Sequence, residues 1–205
     1  MGVYSERVLP RLVDLSCGTR GLARWRDRAT EGLAGVVVEI GFGSGLNLEH
    51  YPDGVRTVLA VEPSSGARRL AGSRLSRTSA AVEFIGLDGQ SLPLDDESCD
   101  AALCTFTLCT IPDAHLALQE VRRVLRPGGA LHFLEHGLAD DPGVASWQRR
   151  LDPIQQRLAG GCHLTRVPDE LAAQAGFDVE VLHRRFAKGP KPWSFFTVGR
   201  ATKPC

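Results

Sequence analysis

Residues 36–45, VVVEIGFGSG, set a β-branched run against three glycines at alternate positions, with one acid, Glu39, inside the run. Such a run reads as a buried strand, and glycines at its end mark a turn where the backbone makes a close approach. A helix after that turn offers unpaired N–H groups, so the unit as a whole can cradle a polar ligand. Two common cradles are excluded. The dinucleotide fingerprint G-x-G-x-x-G wants its third glycine at position 46, which is Leu, and no Lys-Ser or Lys-Thr pair completes a phosphate loop.

Downstream, strand and helix patterns alternate, which predicts a mostly parallel sheet covered on both faces. Strands are expected at 36–41, 57–62, 82–88, 100–108 and 129–136, and a last pair near 178–186 and 194–201. Helices are expected at 6–30, at 46–51 (short, stopped by Pro52), at 64–75, in AHLALQEVRRVLRPGG and at 169–177. Residues 141–167 read as a helical insert. Arg122, Arg123 and Arg126 fall in the last turns of the amphipathic helix, with Pro127-Gly128-Gly129 as its stop.

Charge and cysteine content narrow the class. Lys plus Arg and Asp plus Glu are both 24, so no net field favours nucleic acid or an anionic membrane as partner. No apolar stretch nears the roughly 20 residues of a spanning helix. MGVYSERVLPRL lacks a signal-peptide core, and Glu6 stands where myristoylation after Met1-Gly2 requires Ser or Thr. The six cysteines show no CxxC pair and no zinc-ribbon spacing, so no metal site is expected, and a reducing cytoplasm is the expected compartment. With 205 residues, a single domain is expected.

Two acids stand at strand ends. Glu62, followed by Pro63, closes the second strand, where a ribose-binding carboxylate belongs in a doubly wound sheet. Asp88-Gly89 closes the third. With the E-x-G-x-G-x-G loop, LDGQSLPL and LRPGG, these residues make the chain resemble the class I S-adenosylmethionine-dependent methyltransferases over about residues 35–200. The resemblance implies an α/β, seven-stranded Rossmann-like methyltransferase fold, mostly parallel, with helices on both faces and a C-terminal antiparallel strand. It implies S-adenosylmethionine as cofactor and S-adenosylhomocysteine as product. Gly41, Gly43 and Gly45 would line the methionine moiety with Glu39 close by. Glu62 and Pro63 would hold the ribose, Asp88 and Gly89 the adenine, and Thr105 would lie near the methionine end.

ALCTFTLCTI, EVRRVLRPGGALHFLEH and WQRRLDPIQQRLAGGCHLTR look more closely like the methyltransferase-like thiol S-methyltransferases of animal endoplasmic reticulum and their bacterial relatives. SCGTRGLARWRDRATEGLAG takes the place of the membrane anchor of the animal proteins, so no span is expected. The organisation expected is an N-terminal helical lid (1–34), a cofactor-binding core (35–136), an insert over the active site (137–167) and a helix with a strand pair (168–205).

A sulfonium is already an activated methyl donor, so transfer depends chiefly on alignment, which alone supplies roughly 7–11 kcal/mol. A thiol acceptor, with pKa about 8.5, needs modest help from a base. The candidates for proton handling are Glu135, His136 and His163, with His115 read as solvated. Cys104 and Cys109 read as small core residues. The acceptor expected is a small, fairly apolar molecule, a thiol first. A quinone or lipid precursor methylated on O, N or C is the alternative, and a non-catalytic cofactor-binding module a third reading. The stretch Thr105-Phe106-Thr107-Leu108 replaces the N/D-P-P-Y/F tetrad of base-modifying enzymes, against a nucleic-acid substrate.

Overall fold

The structure is a computed structural model that describes residues 4–205, less the side chain of Ser5; the Met1-Gly2 opening lies outside them. A π-helical turn, Tyr4–Val8, runs into α1 (Leu9–Cys17), and α2 (Arg20–Thr30) follows. Then come β1 (Gly35–Ile40), β2 (Val55–Val61), α3 (Ser65–Leu75), β3 (Ala81–Gly86), β4 (Cys99–Thr105), α4 (Ala114–Val124) and β5 (Leu125–His136). The chain ends with α5 (Pro142–Leu158), α6 (Pro168–Gln174), β6 (Asp178–Phe186), α7 (Lys191–Ser194) and β7 (Phe195–Thr202).

The seven strands lie in the order β3-β2-β1-β4-β5-β7-β6, and only β7 runs against its neighbours. Side chains alternate across β1, so Val37 packs with Trp25, Ala29, Leu103 and Phe196 on one face. Val38 and Ile40 pack with Leu118, Val121 and Phe133 on the other. Both faces of the central strands are therefore core, which explains the unbroken apolar runs in the sequence. Ser64 caps α3, Asp113 caps α4 and Asp141 caps α5, each accepting a first-turn N–H. The chain leaves β1 toward one edge and returns to β4 on the other side, so a topological switch lies between them. Ligands in such sheets gather at the carboxyl ends there.

Two expectations are corrected. Residues 46–50 are successive tight turns, with Leu48 N–H on Gly45 O at 3.2 Å and His50 N–H on Asn47 O at 2.9 Å. Asn47 turns inward to buried acceptors, which the regular helix expected at 46–51 gives way to. The amphipathic helix also stops earlier, at Val124. Leu125 is already extended and pairs with Cys99, and Arg126 leaves the helix to bind Asp100.

Candidate functional site

A cleft of about 380 Å³ opens over the carboxyl ends of β1, β2 and β4. Of the nine expected cofactor residues, Gly41, Gly43, Glu62, Pro63, Asp88, Gly89 and Thr105 line it. Glu39 and Gly45 stand behind the wall. The three loop glycines all have positive φ, but different neighbours exclude their side chains. A Cβ on Gly41 would lie 2.1 Å from Thr107 Oγ1, and one on Gly45 would lie 2.9 Å from Leu48 Cδ1. At Gly43 the nearest atom is Gly41 O at 3.8 Å, so here the loop is bare toward the cleft.

Glu62, just past β2, is held from both sides. Gly43 N–H donates to Oε2 and Ser64 N–H to Oε1, each at 2.8 Å. Burial raises its pKa and these two amides pull it back, so the carboxylate is fixed in direction before any ligand arrives. Asp88 is exposed at the other end of the cleft, with Oδ1 taken by Gln90 N–H at 2.9 Å.

Beneath the Gly loop lies a buried polar network. Asn47 donates to Glu39 Oε1 at 2.6 Å and to Thr105 Oγ1 at 2.9 Å. Arg26, from α2, donates to Asn47 Oδ1 at 2.5 Å, to Thr105 Oγ1 at 3.3 Å and to Cys17 O at 3.2 Å. Tyr51 donates its hydroxyl to Glu39 Oε2. Burial pushes the Glu39 carboxyl up to about 7 against the pull of Tyr51 and Asn47, and burial also lowers Arg26. Glu39 therefore organises the wall from behind and does not reach the cleft.

A second, apolar cavity of about 480 Å³ adjoins the first. Val13, Cys17, Phe106, Thr110 and Ala159 border both. Phe106 sits at the junction with φ +54, a strained conformation for an aromatic residue, stacked edge-on against Phe196 at 5.2 Å. Of the three expected proton-handling residues, only His136 lines this cavity. Glu135 is turned away: its Oε1 accepts N–H groups from Thr107 at 2.7 Å and Leu108 at 3.0 Å, tying down the loop after β4. His163 points its ring at Asp152, 3.6 Å away. Cys109 and Cys162 join His136 on the cavity wall. His136 Nε2 lies 3.0 Å from Cys162 Sγ. Hydrogen bonds from Cys109 and then His136 pull the Cys162 thiol below its usual range, against the effect of burial.

The N-terminal segment borders the cleft through Leu9, Pro10 and Val13. Glu6 accepts from Ser65 Oγ at 2.6 Å, and Asp14 joins Ser44 Oγ at 2.5 Å and Arg74 Nη1 at 2.9 Å. Tyr4 donates to Leu158 O at 2.7 Å, which ties this segment to α5 as well. Sequence reasoning missed Arg26, Asn47, Tyr51, Phe106 and the Cys109–His136–Cys162 group. For Arg26 one signal was present: Trp25 and Ala29, both buried, mark the inward stripe of α2, and Arg26 adjoins it.

Fold and cleft together define a Rossmann-like α/β protein with a cleft at the carboxyl ends of its strands that opens onto an apolar second cavity. A family model described as "Methyltransferase domain" matches residues 38–133. The chain is 33% identical over 168 residues to the thiol S-methyltransferase TMT1B of Rattus norvegicus, covering 80% of this chain and 66% of that protein. It thus spans just under two thirds of that relative's length. It is also 33% identical over 163 residues to the ubiquinone/menaquinone biosynthesis C-methyltransferase UbiE of Syntrophotalea carbinolica, covering 73% of this chain and 68% of that protein. A solved SAM-dependent methyltransferase of Thermotoga maritima superposes with a TM-score of 0.68 at 23% identity, covering 94% of this chain and 93% of that one. The chain belongs to the class I S-adenosylmethionine-dependent methyltransferase family. Among the described residues no helix is long and apolar enough to cross a membrane.

Proposed function

We propose that the protein transfers the methyl group of S-adenosylmethionine to a small, fairly apolar acceptor, a thiol first. One observation carries this reading: a carboxylate at the end of β2, pre-aligned by the Gly43 and Ser64 amides, stands in a cleft that shares a wall with an apolar cavity. Glu62 would take the ribose hydroxyls, Asp88 and Gly89 the adenine, and Gly43 the bare stretch of backbone beside the methionine. Arg26 faces the same cleft and is the cation for a carboxylate end. The methyl group would then emerge near Thr105 and Phe106, at the mouth of the second cavity.

Catalysis there rests on alignment and dehydration. The N-terminal helices act as a lid, and their latches to Ser65, Ser44 and Arg74 support that role. Six free cysteines fit the reducing cytoplasm, and the balanced charge fits a small molecule better than nucleic acid. A second reading, C-methylation of a quinone precursor, draws on the likeness to UbiE. Calorimetry with S-adenosylhomocysteine tests the cofactor, and turnover of labelled S-adenosylmethionine over thiols, quinols, phenols and amines tests the acceptor. Saturable binding with thiol-selective turnover is expected. No saturable binding overturns the whole reading, and quinol-selective turnover replaces the thiol.

A further inference from the structure

We infer that Cys109, His136 and Cys162 bind one zinc-class divalent cation whose fourth position opens into the apolar cavity. The three residues come from the loop after β4, the last position of β5 and the turn after α5, so the two thiols lie 53 positions apart in the chain. Their ligand atoms all lie within 4.8 Å of one another. Tetrahedral zinc, with Zn–S about 2.3 Å and Zn–N about 2.0 Å, sets its ligand atoms roughly 3.5–3.8 Å apart. The 3.0 Å contact of His136 with Cys162 and the 4.8 Å limit bracket that spacing, so small rotamer shifts close the site.

The donors and their support fit such an ion. Two sulfurs and an imidazole suit zinc and disfavour magnesium or calcium. Both cysteines are buried, and all three residues face the cavity. Three protein ligands with one open side is the pattern of reactive rather than structural zinc. The two cysteine-bearing segments are tied together: His163 N–H donates to Cys109 O at 2.8 Å, and Arg166 donates to Ile111 O at 2.7 Å. The imidazole meets only Cys162 through Nε2, and its Nδ1 is buried with no hydrogen-bond partner among the described residues.

A chemical consequence rests on the methyl-transfer reading. An acceptor thiol that coordinates the ion releases its proton to solvent. Its sulfur lone pair then forms the bond to the methyl carbon while the carbon–sulfonium bond breaks, and that electron pair stays on the cofactor sulfur. The thioether product, a weaker ligand, leaves. His136 is a ligand in this scheme and not a base.

The reduced full chain, without cofactor, is titrated with Co²⁺ as a visible stand-in for zinc. Expected is saturation at one equivalent, with thiolate charge-transfer and tetrahedral visible bands that zinc bleaches. Cys162→Ser and Cys109→Ser should each weaken binding at least ~10-fold. Cys205→Ser, at the exposed C-terminus, should leave it unchanged. Should Cys109→Ser not fold by circular dichroism, Cys162→Ser and His136→Asn carry the comparison. Absence of a stoichiometric thiolate band, or a cobalt affinity unchanged in both Cys162→Ser and His136→Asn, overturns the site. Calorimetry with S-adenosylhomocysteine on the same samples reads the cofactor cleft separately, so either reading can fail alone.

Discussion

The Gly43 amide donates to Glu62 Oε2 at 2.8 Å, which couples the bare stretch of the glycine loop to the acid that closes β2. Under the proposed cofactor reading Glu62 has two tasks, one toward the loop and one toward the ribose. Replacing it with Gln keeps the shape but removes the charge and sets an NH₂ against one amide. A hydrogen bond to a charged group contributes about 1.5–3 kcal/mol. Glu62→Gln should therefore weaken S-adenosylhomocysteine binding about 10–100-fold by calorimetry. The exposed Asp88→Asn should lose only a few-fold, and equal losses at both positions would contradict the central place given to Glu62.

Neighbouring glycines should fail in different ways. Gly41→Ala drives a methyl group into Thr107, and overpacking of this kind costs about 1–3 kcal/mol on top of the positive φ. Gly43→Ala meets no protein atom closer than 3.8 Å and places its methyl group beside the cleft. Denaturant melts should show the larger loss for Gly41→Ala, and cofactor titrations of folded protein the larger loss for Gly43→Ala. The reverse ranking would remove Gly43 from the cofactor wall.

What the sequence made legible was what depends on chain order. Strand runs, the acids at their ends and the glycine-rich turn are local, and the parallel order follows from alternation. The hidden part depends on which side chain turns inward. RGLARWRDRAT carries four arginines, and only packing of Trp25 and Ala29 decides that Arg26 is the buried one. LNLEHY before Pro52 predicts a short helix, yet the Asn47 side chain turns in to satisfy Glu39 and Thr105 instead. Glu135 and His136 are adjacent in sequence and so face opposite ways on β5, one to the loop amides and one to the cavity.

Arg26 is buried with three acceptors, so its loss should show in stability before activity. Arg26→Met leaves Asn47 Oδ1 and Cys17 O without their donor in a low-dielectric site. A loss of about 2–4 kcal/mol is expected from urea midpoints at constant slope. Arg26→Lys keeps the charge but reaches fewer partners, so it should fall between. A wild-type midpoint for Arg26→Met would show that the network does not hold the wall.

Burial keeps the Glu39 carboxyl near pH 7, while in the unfolded chain it titrates near ~4.3. Between these values the folded state binds more protons than the unfolded one, so stability falls as pH rises through this window and levels off above it. With one pKa unit equal to about 1.4 kcal/mol, the whole window is worth roughly 4 kcal/mol. Gln at this position keeps the acceptor for Asn47 and cannot ionise. Urea denaturation at pH 5 and pH 8 should show a drop in the wild type that exceeds the drop in Glu39→Gln by about 2–3 kcal/mol. Equal drops in both proteins would mean that Glu39 is ionised at neutral pH and that Arg26, acting through Asn47, outweighs the cost of its burial.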